Sequence, residues 1–215
     1  GIRQIFWAED SKTLLYLQDD GGDENFHLFA VDVSKEGSKA RDLTPFDGAK
    51  AQNVITNKRF PDELLVAVNA RDKAQFDMYR VQLESGDIKL DTENPGGIVG
   101  WGSEDESFEV REGIRVNSDS SKTVLVRDST KAEWRDLAVF PYGEDGGMVD
   151  FCNDGEHALM TSSVGRETTA LTKVKLSDGS TTEVIAFNDK ADCGGIMLDE
   201  DTKAVRAVSF NYART

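Results

Sequence analysis

Residues 96–99 read Gly-Gly-Ile-Val, and two glycines followed by apolar residues return at 146–149 (Gly-Gly-Met-Val) and 194–197 (Gly-Gly-Ile-Met). The copies are 50 and 48 residues apart, and a weaker copy, Asp-Gly-Ala-Lys, stands at 47–50. A period of about 40 to 50 residues is typical of architectures that repeat one small structural unit. The glycine pattern therefore predicts a repeat protein.

Short strands joined by tight turns fill each unit. Residues 28–33, 78–83 and 171–176 are corresponding apolar-rich segments, the last two with partial alternation of apolar and polar residues, and glycine-bearing turns follow at 84–87 and 177–180. Alternation with a period of two predicts strands, and the glycine turns predict hairpins. Four strands per unit at this period are the signature of propeller blades. The sequence predicts an all-β fold of β-propeller blades, each with four antiparallel strands.

The repeat gives approximate blade boundaries, which are 2–47, 48–95, 96–145, 146–193 and an incomplete blade at 194–215. In the third blade we expect strands at 98–101, 108–116, 123–127 and 134–140. The glycine pairs should lie where the chain crosses between blades. We interpret residues 1–215 as one partial propeller domain of about four and a half blades. Unpaired strand edges invite association, so an edge-to-edge oligomer is expected. The alternative is a closed five-bladed ring with a short last blade.

Composition excludes several classes of function. The formal net charge of −15 argues against nucleic acid and against anionic membrane surfaces as partners. No 18-residue apolar window is present, so no membrane span is expected. Two cysteines, Cys152 and Cys193, form no disulfide framework, which favours a reducing, cytoplasmic location. The chain begins with Gly1, which we interpret as a cut or processed end.

The sequence lacks the motifs of a catalytic centre. The nucleophile motif Gly-x-Ser-x-Gly is absent, because residues 162–165 read Ser-Ser-Val-Gly without the leading glycine. The two histidines, His27 and His157, stand alone and are interpreted as structural. We expect no catalytic residues, no cofactor and no metal in this chain.

The densest acidic segment, Asp-Asp-Gly-Gly-Asp-Glu-Asn at 19–25, has three interpretations. It is a polar turn, a calcium loop, or a functional loop near the opening of the propeller. Calcium is disfavoured because Glu24 stands where an EF-hand loop needs glycine. As a functional loop, Asp23 and Glu24 would attract a positive group such as a peptide amino terminus. Arg71 and Arg166 occupy the equivalent loops of the second and fourth blades, where they pair internally or line the same face.

Five segments of this sequence are similar to one known family. They are residues 18–32, 41–46, 93–97, 162–167 and 207–212. They resemble the propeller of prolyl oligopeptidase (S9) family serine peptidases, in the acylaminoacyl-peptidase and dipeptidyl-aminopeptidase branch. Tyr212 and Arg214 match a family-like Asn-Tyr-x-Arg segment. The resemblance implies a TolB- or WD40-like propeller, often of seven blades, that precedes an α/β-hydrolase domain. None of the catalytic Ser-Asp-His triad of that domain lies in this chain.

The leading hypothesis is therefore a substrate-gating, non-catalytic propeller portion of a serine peptidase or related hydrolase. Its partners would be the α/β-hydrolase domain of the parent chain and peptide substrates. The candidate gating or interface residues are Asp23, Glu24, Arg71, Arg166 and Tyr212. The alternative is a stand-alone propeller that binds a ligand or acts as a scaffold. A propeller enzyme such as a lyase or glycosidase would need clustered carboxylates, for which the sequence offers only Asp23 and Glu24.

Overall fold

The computed structural model describes residues 1–212. Within that range the regular secondary structure consists of β-strands alone. The predicted all-β class is confirmed. The strands are β1 Ile2–Trp7, β2 Thr13–Gln18, β3 His27–Asp32, β4 Arg41–Asp42, β5 Ala51–Thr56, β6 Glu63–Asp72, β7 Gln75–Gln82, β8 Ile88–Thr92, β9 Ile98–Ser103, β10 Val110–Val116, β11 Lys122–Val126, β12 Arg135–Phe140, β13 Gly146–Phe151, β14 His157–Ser162, β15 Ala170–Lys175, β16 Thr181–Ala186, β17 Cys193–Leu198 and β18 Val205–Phe210. Across residues 1–212, no helix has the length and apolar character needed to cross a bilayer.

Strands that follow one another in sequence lie next to one another in the sheets. Four four-stranded sheets have the orders β1–β2–β3–β4, β5–β6–β7–β8, β9–β10–β11–β12 and β13–β14–β15–β16, and a two-stranded sheet joins β17 to β18. The strands of the third sheet lie within two residues of the predicted bounds at every end. The main difference is Phe108, which was expected in a strand. It lies in the turn before β10, fully buried, with a φ of 54°.

The described chain forms two compact units, residues 1–113 with 129–131, and residues 114–128 with 132 onward. Each has its own apolar core. The core of the first unit contains Ala8, Leu15, Leu17, Leu28, Ala30, Leu43, Ala49, Ala51, Leu64, Val66, Val68, Val81 and Leu83. The core of the second unit contains Val124, Val126, Leu137, Phe140, Phe151, Ala158, Met160, Val174 and Leu176.

Strand alternation places these residues in the core. On β2, Leu15 and Leu17 are buried, whereas Leu14 and Tyr16 on the other face are only half-buried. Leu17 lies opposite Leu28 of β3 in the same register. Each buried leucine stabilises the sheet by about 2 kcal/mol. A register slip of one residue would turn every one of these side chains to the opposite face.

Arginines at the start of two outer strands join successive sheets. Arg41 of β4 donates to the carbonyl oxygens of Leu83 and, at 2.9 Å, of Glu84, in the β7–β8 turn. Arg135 of β12 donates at 2.8 Å to the carbonyl of Leu176, in the β15–β16 turn. The same residue type thus makes the same contact in both units, which is a structural counterpart of the sequence repeat.

The glycine pairs do not all play the part expected of them. Gly96 and Gly97 lie in the crossing before β9 with φ of 120° and 75°, as predicted. Gly146 is instead the first residue of β13, where a Cβ atom would lie 2.1 Å from the Phe140 ring and 2.5 Å from the carbonyl oxygen of Thr161. Close packing, rather than a turn, therefore requires glycine at that position.

Candidate functional site

The acidic segment forms the loop between β2 and β3 in the first unit. Asp19 is buried, and its Oδ2 accepts the backbone N–H of Glu24 at 3.2 Å. Asp23 accepts the backbone N–H of Asn25 at 3.0 Å and the Asn25 side-chain amide at 3.1 Å. The backbone N–H of Asn25 helps to lower the pKa of the exposed Asp23 carboxyl. Glu24 has a φ of 59°. Internal hydrogen bonds thus hold the loop in a defined shape.

Asp23 borders a cavity of about 320 Å³ at this end of the first sheet. Its lining consists of Gln18, Asp19, Asp20, Asp23, Asn25, His27, Phe29, Asp42 and Gly48. Glu24 is not among these residues. Four of the lining side chains are aspartates, a residue type that attracts cations, and two of them already have partners, because Asp19 pairs with the amino group of Gly1 and Asp42 lies against His27.

A histidine–carboxylate pair closes one side of this cavity. His27 Nδ1 lies 2.7 Å from Asp42 Oδ2, and Asp42 Oδ1 accepts the backbone N–H of Thr44 at 2.8 Å. The Thr44 hydroxyl accepts the backbone N–H of Leu28 at 2.9 Å. Sequence reasoning treated His27 as structural and missed Asp42, since nothing in the spacing of residues 27 and 42 indicates that they meet.

The crossing from β4 to β5 lies at the same end as the acidic loop. Ala51 donates its backbone N–H to the Phe26 carbonyl at 2.7 Å, and Gly48 contributes to the cavity. The turn of the β6–β7 hairpin lies at the same end, because Lys73 Nζ in that turn donates at 3.2 Å to the carbonyl of Asp47 in the crossing. The loop between the second and third strands and the crossing loops thus share one end of the first unit.

Arg71 stands at that end, in a β-bulge. β6 pairs with β7 at Val68↔Asp77 and again at Asp72↔Gln75, so three residues of β6 face one residue of β7. From the bulge, Arg71 Nε and Nη2 each donate to a carboxylate oxygen of Asp77 at 2.9 Å. These hydrogen bonds raise the pKa of Arg71. Of the two arrangements considered for Arg71, internal pairing is the one observed.

The remaining candidate residues lie in the second unit. The Arg166 guanidinium stands over the Phe187 ring at 5.8 Å, and Lys190 Nζ stands over the Tyr212 ring at 5.3 Å. Tyr212 is 62% exposed. Phe187 and Lys190 belong to the crossing between β16 and β17, and sequence reasoning did not single them out. Arg214 lies outside the described residues.

In the second unit the β16–β17 crossing is hydrogen-bonded to the loop between β14 and β15, the second and third strands of their sheet. The Thr168 hydroxyl donates to the carbonyl of Asn188 at 2.5 Å, and the backbone N–H of Thr169 donates to Asp192 Oδ1 at 2.8 Å. Ser163, considered above as part of an incomplete nucleophile motif, donates its hydroxyl to Glu144 at 2.5 Å. Among residues 1–212, no group of three or more His, Cys, Asp or Glu side chains is arranged to hold a metal ion.

Comparison with known proteins gives one curated relative with a clear match. The chain is 37% identical over 219 aligned residues to dipeptidyl aminopeptidase BIII of Pseudoxanthomonas mexicana. The match covers all of this chain but only 31% of the relative. No protein-family model matches the sequence.

Solved structures show the fold. TolB from Acinetobacter baumannii has a TM-score of 0.61 at 13% identity over 92% of this chain and 47% of its own. Puromycin hydrolase has a TM-score of 0.61 at 13% identity over 84% of this chain and 29% of its own. Prolyl oligopeptidase B from Galerina marginata has a TM-score of 0.56 at 16% identity over 92% of this chain and 29% of its own.

The chain is similar to the propeller portion of prolyl oligopeptidase (S9) family peptidases. The resemblance deduced from short sequence segments is therefore confirmed, and the sheets are propeller blades of the TolB type. The chain spans less than a third of the length of the curated relative that it matches.

Proposed function

We propose that this chain is the non-catalytic, substrate-gating part of a serine peptidase whose α/β-hydrolase domain lies outside the 215 residues. The observation that carries the proposal is the 37% identity over the whole chain to a dipeptidyl aminopeptidase, of which the chain spans 31%. The predicted blades, 2–47, 48–95, 96–145, 146–193 and 194–215, would then be consecutive parts of a larger propeller, of seven blades by family precedent.

In this proposal the loops of the first unit meet the peptide. The cavity beside Asp23 carries four aspartates, and the chain as a whole has a net charge of −15. A low-dielectric opening with one sign of charge raises the local concentration of oppositely charged groups. Asp23 and Glu24 would attract the amino terminus of a peptide, and Arg71 would contact the peptide from the neighbouring hairpin.

The second unit supplies the other proposed contacts. Arg166 and Tyr212 each take part in a cation–π pair, and Tyr212 is largely exposed. Tyrosine and arginine are enriched at protein interfaces. These two residues would contact the hydrolase domain or the peptide.

A serine-reactive fluorophosphonate probe tests whether the catalytic serine lies outside this chain. We expect the gene product that contains this chain to be labelled and to hydrolyse aminoacyl amides, and the isolated 215-residue chain to do neither. Labelling or hydrolysis by the isolated chain would place a catalytic centre within it and refute the proposal. A full gene product that binds peptides without cleaving them would favour the stand-alone binding module instead.

A further inference from the structure

Asp77 is a buried carboxylate, and the hydrogen bonds that it accepts join Arg71 to the crossing before β9. It lies on β7 and is fully buried. Besides its two bonds from Arg71, its Oδ1 accepts the backbone N–H of Asn94 at 2.7 Å. A buried carboxylate is tolerated only when it is paired and hydrogen-bonded, and both conditions hold here. Asp77 therefore fixes Arg71 against the crossing that contains Asn94.

The fixed guanidinium keeps part of its hydrogen-bonding capacity free of Asp77. A guanidinium carries five N–H groups, and Asp77 takes one from Nε and one from Nη2. Nη1 lies 3.5 Å from Glu93 Oε1, a separation beyond that of a strong hydrogen bond, and Glu93 is 62% exposed. The Arg71 side chain is itself 41% exposed. The donors that Asp77 leaves untaken thus belong to a partly exposed side chain, and one of their nitrogens, Nη1, is shared only with the exposed Glu93 at ion-pair distance.

The backbone around Arg71 is shaped for this arrangement. The three bulge residues 69–71 oppose a single residue of β7, and bulges commonly re-aim side chains beside binding sites. Asn69 holds the bulge in place, because its side-chain amide donates to the Lys73 carbonyl at 3.0 Å and its Oδ1 accepts the backbone N–H of Lys50 at 2.5 Å.

We propose that Asp77 is a positioning residue that holds Arg71 ready to donate to an oxygen acceptor of a bound peptide. The inference rests on the proposed function only for the supply of peptides. Because Asp77 already balances its charge, Arg71 needs no anionic ligand. Its free N–H groups suit a neutral backbone carbonyl as well as a terminal carboxylate. Fixing the guanidinium in advance removes the rotamer entropy that a free arginine would lose on binding.

Side-chain NMR of the 215-residue chain tests the inference through the Arg71 Nε–Hε resonance. The probes are acetyl-trialanine amide, which offers only backbone carbonyls, and acetyl-trialanine with a free carboxylate. A saturable shift of this resonance with both probes supports a carbonyl acceptor, and a shift with the second alone supports the carboxylate. No shift with either probe would overturn the inference.

Three variants sharpen the test. Arg71→Lys, followed through the backbone amide resonances of residues 71 and 77 in both variant and wild type, should weaken binding about tenfold, because lysine loses the fork geometry while keeping the charge. Asp77→Asn should weaken binding by about the same factor and speed exchange of the Arg71 Hε proton. Arg206→Lys is the matched control, since Arg206 Nε and Nη2 also contact one carboxylate, that of Asp199. Equal binding by Arg71→Lys and the wild type, or equal weakening by Arg206→Lys, would refute the proposal.

The surface-exposed Arg71→Lys variant keeps the test valid if Asp77→Asn does not fold. The result is also separable from the proposed function. A failure of gating would leave the Arg71 resonance responsive to peptides, whereas a failure of this inference would leave the serine probe labelling of the full gene product unchanged.

Discussion

Asn57 Nδ2 donates a hydrogen bond at 2.9 Å to the carbonyl oxygen of Asp105, 48 residues further along the chain. In the second unit Asn153 Nδ2 donates at 2.7 Å to the carbonyl of Asp201, again across 48 residues. Both bonds join the turn after the first strand of one sheet to the corresponding turn of the next sheet. The period read from the glycine pairs therefore has a direct counterpart in the packing of successive sheets.

Loss of the buried Asn57 side chain should lower the free energy of unfolding more than loss of the exposed Asn153 side chain. Asn57 is 7% exposed and its Oδ1 also accepts the backbone N–H of Arg59, whereas Asn153 is exposed. We expect Asn57→Ala to lower the free energy of unfolding by about 1 to 2 kcal/mol, and Asn153→Ala by under about 1 kcal/mol. Urea denaturation measures both values. A larger loss from Asn153→Ala would contradict this reading of the contacts.

Three glycines in turns form a graded series. Gly155, Gly86 and Gly179 have φ of 69°, 76° and 71°, so alanine is strained at each. An added Cβ meets open space at Gly155, the flexible Arg41 guanidinium at 2.9 Å at Gly86, and the Leu137 carbonyl oxygen at 2.1 Å at Gly179.

Alanine substitutions should therefore destabilise in that order. We expect a loss of about 1 kcal/mol at Gly155, slightly more at Gly86, and about 3 kcal/mol or more at Gly179, where backbone must move. Thermal and urea unfolding of the three variants give the comparison. Equal losses at all three positions would show that φ alone decides the cost.

Arg80 is the centre of a half-buried ionic network. It donates to Glu63 at 2.5 Å, to Asp91 at 3.0 Å and to the carbonyl of Phe108 at 2.7 Å, with the Phe108 ring 5.0 Å from its guanidinium carbon. Arg80→Met would leave two carboxylates without their cation, so we expect a loss of about 3 kcal/mol.

The control for this prediction is Arg206→Met, which removes an exposed pair with Asp199 and should cost under about 1 kcal/mol. Chemical denaturation of both variants gives the two values. If Arg80→Met were as stable as Arg206→Met, the network would contribute little and the left-handed backbone of Phe108 would need another cause.

Asp154 gives a pH dependence of known sign. Burial acts to raise its pKa, but hydrogen bonds from Lys173 and from the backbone of Glu156 and His157 outweigh burial and bring the pKa to about 2, against an ordinary value of 3.8. Because the folded-state pKa is depressed, the stabilisation is fully present above the unfolded value and is lost as the pH falls towards 2.

Asp154→Asn should therefore be less stable than the wild type at pH 7, and the difference should shrink between about pH 5 and pH 2. Urea denaturation across this range measures the difference. A gap that stays constant with pH would show that the carboxylate charge is not the source of the stabilisation.

The sequence predicts the sheets well because each depends on local signals. Strand alternation, as at 78–83, and turn glycines such as Gly86 are signals that span only a few residues. The period of the glycine pairs gives the number of sheets. Phe108 was misplaced because its surroundings include Arg80, 28 residues earlier in the chain, which donates a hydrogen bond to its carbonyl oxygen and is not visible as a neighbour in the sequence. The role of Gly146 was missed for a related reason, since its neighbours Phe140 and Thr161 meet only in the folded state.

The candidate site could be predicted only in part. The charge of the loop at 19–25 is visible in the sequence, and so is the presence of Arg71. Neither the burial of Asp77 nor the bulge that aims Arg71 at it has a sequence signature, because both depend on pairing across the β6–β7 hairpin. The placement of Asp23, Glu24, Arg166 and Tyr212 in a peptide path stays a prediction.

The most direct test of gating compares two substrates of the full gene product that contains this chain. One is a dipeptide amide, and the other is a folded protein that carries the same dipeptide at its amino terminus. We expect a much higher kcat/KM for the dipeptide amide, and a smaller difference once the protein substrate is cut into short peptides. Equal kcat/KM values for the dipeptide amide and the intact protein would contradict the account, because a propeller that admits folded proteins does not gate.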